Sequence, residues 1–203
     1  MRSAALNIGI VGAGAVGSAI ATVLARAGIA AKIVNRRGPA ALGPLAASLM
    51  PHVTVGTREE VLAADLVFAA VPWTRLPEAL GGIEWRGRIV VDCTNALEGP
   101  SFARVDLGGR TSSEAFAAFV PGARVVKAFN HILPHLLAGD PAAEGGRRVL
   151  YMAGDDPDAK AVLGGIIDRI GFYRIDLGGL REGGRMIEFP GGPLPALNMV
   201  VFD

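Results

Sequence analysis

Gly12, Gly14 and Gly17 follow the apolar run Ile-Gly-Ile-Val of residues 8–11 with the spacing G-x-G-x-x-G. The first glycine permits a tight turn from strand to helix. The second lets a phosphate approach the backbone, and the third lets the helix pack closely on the strand. A helical pattern at 15–27 and a second apolar strand at 30–34 come next. With the free N–H groups at the helix start, including those of Ala15 and Val16, this predicts a βαβ unit that binds a dinucleotide pyrophosphate.

The residues after the second predicted strand select the dinucleotide. Asn35, Arg36 and Arg37 stand where NAD-binding proteins usually carry an acidic residue that hydrogen-bonds the ribose 2′-hydroxyl. A carboxylate there would repel a 2′-phosphate, whereas an arginine fork binds phosphate bidentately and can stack on adenine. Most arginine pairs simply lie in solvated turns, but the position of this pair at a strand end favours phosphate binding. The sequence therefore predicts NADP rather than NAD.

Three further strand ends are predicted to face the same crevice, because ligands of open α/β sheets bind beyond the carboxyl ends of the strands. These ends are the segments 69–73, 91–97 and 126–131. They should supply contacts to the ribose, the phosphates and the nicotinamide. The candidate residues are Ala70, Val71, Pro72, Thr94, Asn95, Ala128 and Asn130.

Several side chains in these segments have both a chemical and a structural interpretation. Trp73 could stack on a flat ring, but a lid or plain packing is the more frequent role of such an aromatic residue. Cys93 has no base beside it in sequence, which favours a half-buried structural residue over a catalytic thiol. Asp92 could be a base, although capping the following turn is the stronger interpretation.

Lys127, His131 and His135 are the remaining candidates for chemistry. Lys127 is either an ordinary solvated residue or a residue near the ligand. The two histidines lie one helical turn apart, but Pro134 lies between them and the pattern H-E-x-x-H is absent, so we expect no metal site. His131 is a weak candidate for a polar contact to a bound ring. The catalytic residue thus stays unknown, and no triad or carboxylate pair points to a hydrolase.

The alternation of apolar strands and helical patterns predicts an α/β fold, a Rossmann-type doubly wound parallel sheet with a small C-terminal appendage. We expect residues 1–177 to form the NADP-binding domain and residues 178–203 to form an extended segment that packs on the body or on a partner subunit. The predicted strands are 6–11, 30–34, 53–55, 66–70, 88–92, 124–127, 148–153 and 172–176. The predicted helices are 15–27, 39–49, 58–64, 74–80, 112–119, 131–137 and 158–170.

Composition narrows the class of protein. The chain has 203 residues, of which 51% are hydrophobic and 19% charged, so it can bury a sizeable core and is not globally disordered. The net charge of +1 gives no reason to expect nucleic acid or an anionic membrane as a partner. A single cysteine excludes an internal disulfide and a cysteine-based zinc site. Without an apolar run of membrane length or a signal-peptide pattern, we expect a cytoplasmic protein.

Five segments together resemble the coenzyme F420-dependent NADP oxidoreductases, which reduce a deazaflavin with NADPH, and also the cytosolic domain of the membrane ferric reductases. They are Gly-Ala-Gly-Ala-Val-Gly at 12–17, Asn-Arg-Arg at 35–37, Val-Asp-Cys-Thr-Asn-Ala-Leu at 91–97, Gly-Arg-Thr-Ser-Ser-Glu at 109–114 and Pro-Gly-Ala-Arg-Val-Val-Lys-Ala-Phe-Asn at 121–130. The resemblance implies a Rossmann fold that binds NADP. It also implies a deazaflavin stacked on the nicotinamide, with Val71, Asn95 and Ala128 near the ribose and nicotinamide.

Three functions follow as hypotheses. The first is hydride transfer between NADP(H) and a deazaflavin, coenzyme F420, or a flavin-like small molecule. Such a reaction asks mainly that two rings be held face to face. The second is reduction of a small imine or carbonyl compound, for which related enzymes use a long helical domain after the Rossmann unit. The third is a non-catalytic NADPH-sensing module. The apolar segment 196–202 must also dock somewhere, either on the open edge of its own sheet or in the crevice of a partner subunit. Docking in a partner would complete the ring-binding slot, and we expect such a homodimer.

Overall fold

The structure, a computed structural model, describes residues 6–99, 101–142 and 145–202. The strands in chain order are β1 (Ile8–Val11), β2 (Ala31–Val34), β3 (Val53–Val55), β4 (Leu66–Ala69), β5 (Ile89–Asp92), β6 (Leu97–Glu98), β7 (Ala103–Arg104), β8 (Arg124–Ala128), β9 (Arg147–Gly154), β10 (Tyr173–Asp176) and β11 (Val200–Val201). The α-helices are α1 (Ala15–Arg26), α2 (Gly43–Leu49), α3 (Arg58–Leu62), α4 (Leu76–Leu80), α5 (Ser112–Ala117), α6 (Pro134–Ala138), α7 (Pro157–Arg169) and α8 (Glu182–Met186).

The main sheet has the strand order β10-β9-β8-β5-β4-β1-β2-β3. Apart from β9 against β8 and β11 against β9, its neighbouring strands pair in parallel. Every predicted strand is present, and the predicted Rossmann-type doubly wound sheet is confirmed. Alternate residues of a strand enter two separate cores, as Ile10 and Phe68 do on one face and Val67 and Val90 on the other. Helices α1 and α7 cover the first face, and α3, α4 and α5 cover the second.

The sheet departs from the predicted parallel pairing at one strand of its main order, β9, which runs antiparallel to β8 with Ala128 opposite Met152. A parallel pair needs a long crossover connection, usually a full helix. Among its described residues, the connection 129–146 contains only one α-helix, the five-residue α6. Apolar alternation along a strand is the same in both directions, so it does not encode the direction of pairing.

Some local predictions also need correction. The predicted helices 39–49 and 74–80 begin as 3-10 turns, Pro39–Leu42 and Trp73–Arg75. The predicted helix 131–137 starts only at Pro134. The β6–β7 hairpin and α8 were not predicted, because two-residue strands show no periodicity and the α8 sequence Glu-Gly-Gly-Arg-Met is a poor helix former.

The C-terminal segment lies on the chain's own sheet. After α8, the chain crosses the end of β8, where the Ala196 N–H donates to the His131 carbonyl at 2.7 Å. It then pairs as β11 with the start of β9, with Val200 opposite Arg148. Within the described ranges, no helix is both long and apolar enough to cross a membrane.

Candidate functional site

The carboxyl ends of four parallel strands meet at one edge of the sheet. The register places Val11 beside Ala69, Ala69 beside Asp92, and Asp92 beside Lys127. Strand β1 lies between β2 and β4 in the sheet. The connection after β1 leads to β2 on one side of it, and the connection after β3 leads to β4 on the other side. Such a switch point opens a crevice beyond the strand ends. The structure thus places the three later strand ends at the same edge of the sheet as the glycine turn.

A cleft of about 610 Å³ opens at this switch point. Its lining residues come from the glycine turn, from the ends of β2 and β4, and from the starts of α3 and α4. They are Val11, Gly12, Ala13, Gly14, Val34, Asn35, Arg36, Arg37, Arg58, Ala70, Val71, Pro72, Arg75, Glu78 and Ala79. Eight of the predicted cofactor contacts are in this set, which brings together the two sequence-distant motifs.

The three glycines of the turn differ in the space around them. A Cβ added to Gly12, whose φ is +104°, would lie 2.2 Å from the Ala70 carbonyl oxygen. A Cβ on Gly17 would lie 2.1 Å from the Gly12 carbonyl oxygen, so this glycine permits the close packing of α1. A Cβ on Gly14 would meet no atom within 4 Å. Gly12 and Gly17 are thus required by the fold, while the space at Gly14 is left open in front of α1.

The start of α1 is suited to an anion. Its N-cap residue Gly14 offers no side-chain hydrogen bond, and the first turn carries no acidic residue. The first backbone N–H groups of a helix have no partner within the helix, and the helix dipole favours negative charge there. Of the predicted contacts in this turn, Ala15 is exposed, Val16 is half-buried and Gly17 is buried. Residues 12–17 carry no polar side chain, so a ligand bound at this point would be held by backbone groups.

The end of β2 carries an unsatisfied amide beside two arginines. Both polar atoms of the Asn35 side chain are buried and have no hydrogen-bond partner among the described residues. Such a group costs about 1–3 kcal/mol unless something satisfies it. Arg36 and Arg37 are exposed, and within the part of the chain that the structure describes neither forms an ion pair. A polar, phosphate-bearing ligand fits these residues.

The remaining predicted contacts form a second group, at the ends of β5 and β8. Thr94, Ala128 and Asn130 are buried there, and none of the group lines the cleft. The Asn130 Nδ2 donates to Asn95 Oδ1 at 2.9 Å and to the Ile187 carbonyl at 2.5 Å. The Phe189 N–H also donates to Asn95 Oδ1, at 3.2 Å. The two asparagines therefore hold the C-terminal segment against this end of the sheet.

Lys127 and Asp92 form an ion pair in the interior beneath the same strand ends. Both side chains are fully buried, and Lys127 Nζ donates to Asp92 Oδ2 at 2.9 Å. Nζ also donates to the Thr94 carbonyl at 2.6 Å and to Ser112 Oγ at 3.3 Å. Asp92 Oδ1 accepts hydrogen bonds from the Thr94 N–H and hydroxyl, which is the predicted turn-capping role. The interpretation of Lys127 as a solvated residue is wrong, because its charge is neutralised within the fold.

Replacing Lys127 with methionine is expected to lower the free energy of unfolding by about 3 kcal/mol or more, because Asp92 would be left as an uncompensated buried charge. Urea denaturation measures this loss. The double variant Lys127→Met/Asp92→Asn removes both charges and keeps an acceptor for Thr94, so it should recover part of the stability. A single-variant loss below about 1 kcal/mol would contradict the buried pair, since only solvent-exposed pairs contribute so little.

His131, Cys93 and Trp73 are structural in this fold. His131 is buried, its Nε2 accepts the Tyr151 N–H at 3.2 Å, and burial lowers the pKa of the imidazole to about 3. This geometry does not support His131 as a contact to a bound ring or as an acid–base group. Burial raises the pKa of the Cys93 thiol well above its usual value, with Asp92 adding to the shift. Trp73 packs edge-to-face on Phe119 with ring centroids 5.7 Å apart.

Sequence reasoning missed three charged residues of the cleft: Arg58 at the start of α3, Arg75 just before α4 and Glu78 within α4. Arg58 Nη2 donates to the Gly81 carbonyl at 2.9 Å, which links α3 to the end of α4. Arg75 and Glu78 form an ion pair at 2.8 Å. No motif surrounds these residues, and only the folding of α3 and α4 against the β1 and β4 ends brings them to the cleft.

The fold and the cleft define a Rossmann-type dinucleotide-binding protein, and comparison with known proteins gives the family. The model of the family described as NADP oxidoreductase, coenzyme F420-dependent, matches residues 7–96. That span includes the glycine turn, the Asn-Arg-Arg segment and the end of β5. Residues 7–96 therefore carry the domain of this family, and the chain is an NADP-dependent oxidoreductase.

Solved structures agree with this assignment. A hypothetical protein from Sinorhizobium meliloti is 41% identical with a TM-score of 0.92, and the match covers 97% of this chain and 96% of that chain. A candidate F420-dependent NADP reductase from Arthrobacter sp. is 28% identical with a TM-score of 0.72, and the match covers 90% of each chain. A reductive aminase from Aspergillus terreus, solved with NADPH and ethyl-5-oxohexanoate, is 19% identical with a TM-score of 0.62. That match covers 89% of this chain but 57% of the aminase, and it shows a shared fold only. No curated protein matches the sequence significantly.

Proposed function

We propose that the protein transfers a hydride between NADP(H) and a flat ring acceptor, either the deazaflavin coenzyme F420 or a flavin-like compound. The observation that carries the proposal is the chemical contrast between the two ends of the crevice. The glycine turn and the β2 end offer an open anion site with two arginines that form no ion pair among the described residues. At the β5 and β8 ends, the titratable side chains named above, Asp92, Lys127 and His131, are all buried. That end suits a reaction that needs positioning rather than proton transfer by a side chain.

We assign the cofactor contacts as follows. The backbone of Gly12, Gly14, Ala15, Val16 and Gly17 would hold the pyrophosphate, in the space that Gly14 leaves open. The unsatisfied Asn35 amide would bond an adenosine ribose hydroxyl, and Arg36 with Arg37 would bind the 2′-phosphate. When bound, NADPH supplies the hydride.

The second group of contacts would serve the ring end of the cofactor. Ala70, Val71 and Pro72 form the wall that leads from the cleft toward β5. Thr94, Asn95, Ala128 and Asn130 would then border the nicotinamide, with Thr94 fixed by the buried Asp92–Lys127 pair. A rigid end of this kind holds two rings at a fixed distance, which is the main requirement of hydride transfer.

The function is tested by measuring binding and turnover separately. NADPH and NADH affinities are determined by titration, and NADPH oxidation is then followed with coenzyme F420, with FMN, and with a panel of small imines and ketones. Turnover on coenzyme F420 or FMN supports the proposal. Turnover on an imine or ketone, with none on coenzyme F420 or FMN, would show that the acceptor is a small imine or carbonyl compound instead. Tight NADPH binding without turnover would indicate a sensing module, and absence of NADPH binding would refute the proposal as a whole.

We further propose that residues 178–203 act as an appendage that completes the acceptor side of the site in a homodimer. The anchoring of Ile187 and Phe189 on Asn130 and Asn95 of the same chain, next to the proposed nicotinamide position, supports the role at the acceptor side. The homodimer is a separate expectation, which the apparent mass tests. Removing residues 189–203 is therefore expected to lower acceptor turnover and apparent mass while NADPH affinity changes only a few-fold. Steady-state kinetics, titration and gel filtration check this.

A shorter deletion, of residues 196–203, is the matched control. It removes β11 but keeps the anchored segment around Phe189, so acceptor turnover should fall much less than in the longer deletion. Thermal melting of both variants separates a change at the site from a loss of stability. A protein that lacks residues 189–203 yet keeps full turnover and its oligomeric state would show that this segment is only packing.

A further inference from the structure

Glu78 is an unexpected residue in this cleft. Four arginines line the cleft, namely Arg36, Arg37, Arg58 and Arg75, and Glu78 is the only carboxylate among the residues that line it. A cleft that binds a polyanion gains from the arginines but loses from a carboxylate, since like charges repel. A carboxylate at such a site is favourable only if its charge is neutralised and it makes a contact of its own with the ligand.

The first condition is met by Arg75. Its Nη1 donates to Glu78 Oε2 at 2.8 Å, across one turn at the start of α4. The pair offsets the charge of the carboxylate, and both side chains are about half exposed. Glu78 Oε1 has no hydrogen-bond partner within the described residues. One acceptor atom is therefore free at the cleft, beside a neutralising arginine.

The second condition concerns what lies next to that oxygen. Ala79 follows Glu78 directly, and Ala79, Val71 and Val34 give the cleft apolar walls between α4 and the β2 end. Arg36 and Arg37 lie past Val34 on the β2 side. A ligand that fits here presents phosphate toward the arginines, an apolar flat body to the walls, and a hydrogen-bond donor to the carboxylate. The adenosine 2′-phosphate part of NADP has this form, since adenine is flat and its exocyclic 6-amino group is a donor.

We propose that Glu78, held by Arg75, accepts a hydrogen bond from the 6-amino group of adenine. The protein would then read the base of its dinucleotide as well as the 2′-phosphate. This inference rests on the proposed NADP(H) binding at the cleft. Hypoxanthine carries an oxygen acceptor where adenine carries the amine, so its lone pairs would face those of the carboxylate.

The test compares NADPH with its hypoxanthine analogue by direct binding titration, without an acceptor. The wild-type protein is expected to prefer NADPH by about tenfold, the effect of one hydrogen bond to a charged group. Glu78→Ala should reduce this preference to about twofold or less. In Glu78→Gln the side-chain amide has both a donor and an acceptor, so the analogue should bind better than to wild type while NADPH affinity is largely kept. Glu84→Ala, which breaks an exposed Arg86–Glu84 pair outside the cleft, should leave the preference unchanged.

Three results would overturn the inference. Equal wild-type affinity for the two dinucleotides would show that the base is not read. If Glu78→Ala changed the affinities for NADPH and for the hypoxanthine analogue equally, in either direction, Glu78 would act only through its charge and not by a hydrogen bond to the base. A loss of preference in the Glu84→Ala control would show that the readout is not local. In contrast, a wild-type protein that binds neither dinucleotide refutes the proposed function itself, which makes the two failures distinguishable.

Discussion

Replacing Arg36 and Arg37 together with alanine is expected to weaken NADPH binding by about 100-fold or more and NADH binding only slightly. Both side chains line the cleft at the end of β2 and have no ion-pair partner among the described residues, so a 2′-phosphate would be their first one. A charge-assisted hydrogen bond contributes about 1.5–3 kcal/mol, which is roughly tenfold to 150-fold in affinity for each arginine. Titration of both dinucleotides measures the effect.

The control for this prediction is Arg86→Ala, which removes an exposed guanidinium outside the cleft. It should change neither affinity by more than about twofold, because a screened, distant charge contributes little. The NADPH affinity of the wild type should also fall more steeply with added salt than that of the double variant. An equal loss of NADPH and NADH binding in the double variant would mean that the arginines do not read the 2′-phosphate.

Gly14→Val is expected to abolish dinucleotide binding while the protein keeps its fold. An added side chain at this position meets no protein atom within 4 Å, so it would fill the space proposed for the pyrophosphate. The backbone at Gly14 has φ −77° and ψ −167°, an extended conformation that valine adopts readily. Binding titration, together with circular dichroism and thermal melting, separates the two effects.

Gly17→Ala is the matched contrast in the same turn. Its Cβ would lie 2.1 Å from the Gly12 carbonyl oxygen, so this smaller change should lower the melting temperature where Gly14→Val does not. Together the two variants distinguish a glycine needed for the ligand from one needed for packing. A folded Gly14→Val protein with unchanged NADPH affinity would show that the pyrophosphate does not bind at this turn.

Most of the architecture follows from local sequence. The strands are short apolar runs, and the glycine turn after β1 lies within one continuous segment, so both are encoded by neighbours in the chain. The ends of β1, β4, β5 and β8 meet because parallel strands share one carboxyl edge. What local sequence does not encode is direction, which is why β9 was expected to run parallel. It also does not encode helices formed by packing. Such a helix is α8, where a Cβ on Gly183 would lie 2.5 Å from the Leu177 carbonyl oxygen.

The site divides in the same way. The sequence by itself indicated the half of the cleft that we propose binds phosphate, because Gly12 and Gly14 lie in one glycine motif and Asn35 directly follows the next strand. Only the tertiary structure decided that Lys127 is buried against Asp92 and that Glu78 reaches the cleft. The physical reason is that charge burial and cleft lining depend on residues far apart in the chain. A lysine has the same sequence signature whether it faces water or a carboxylate 35 residues away.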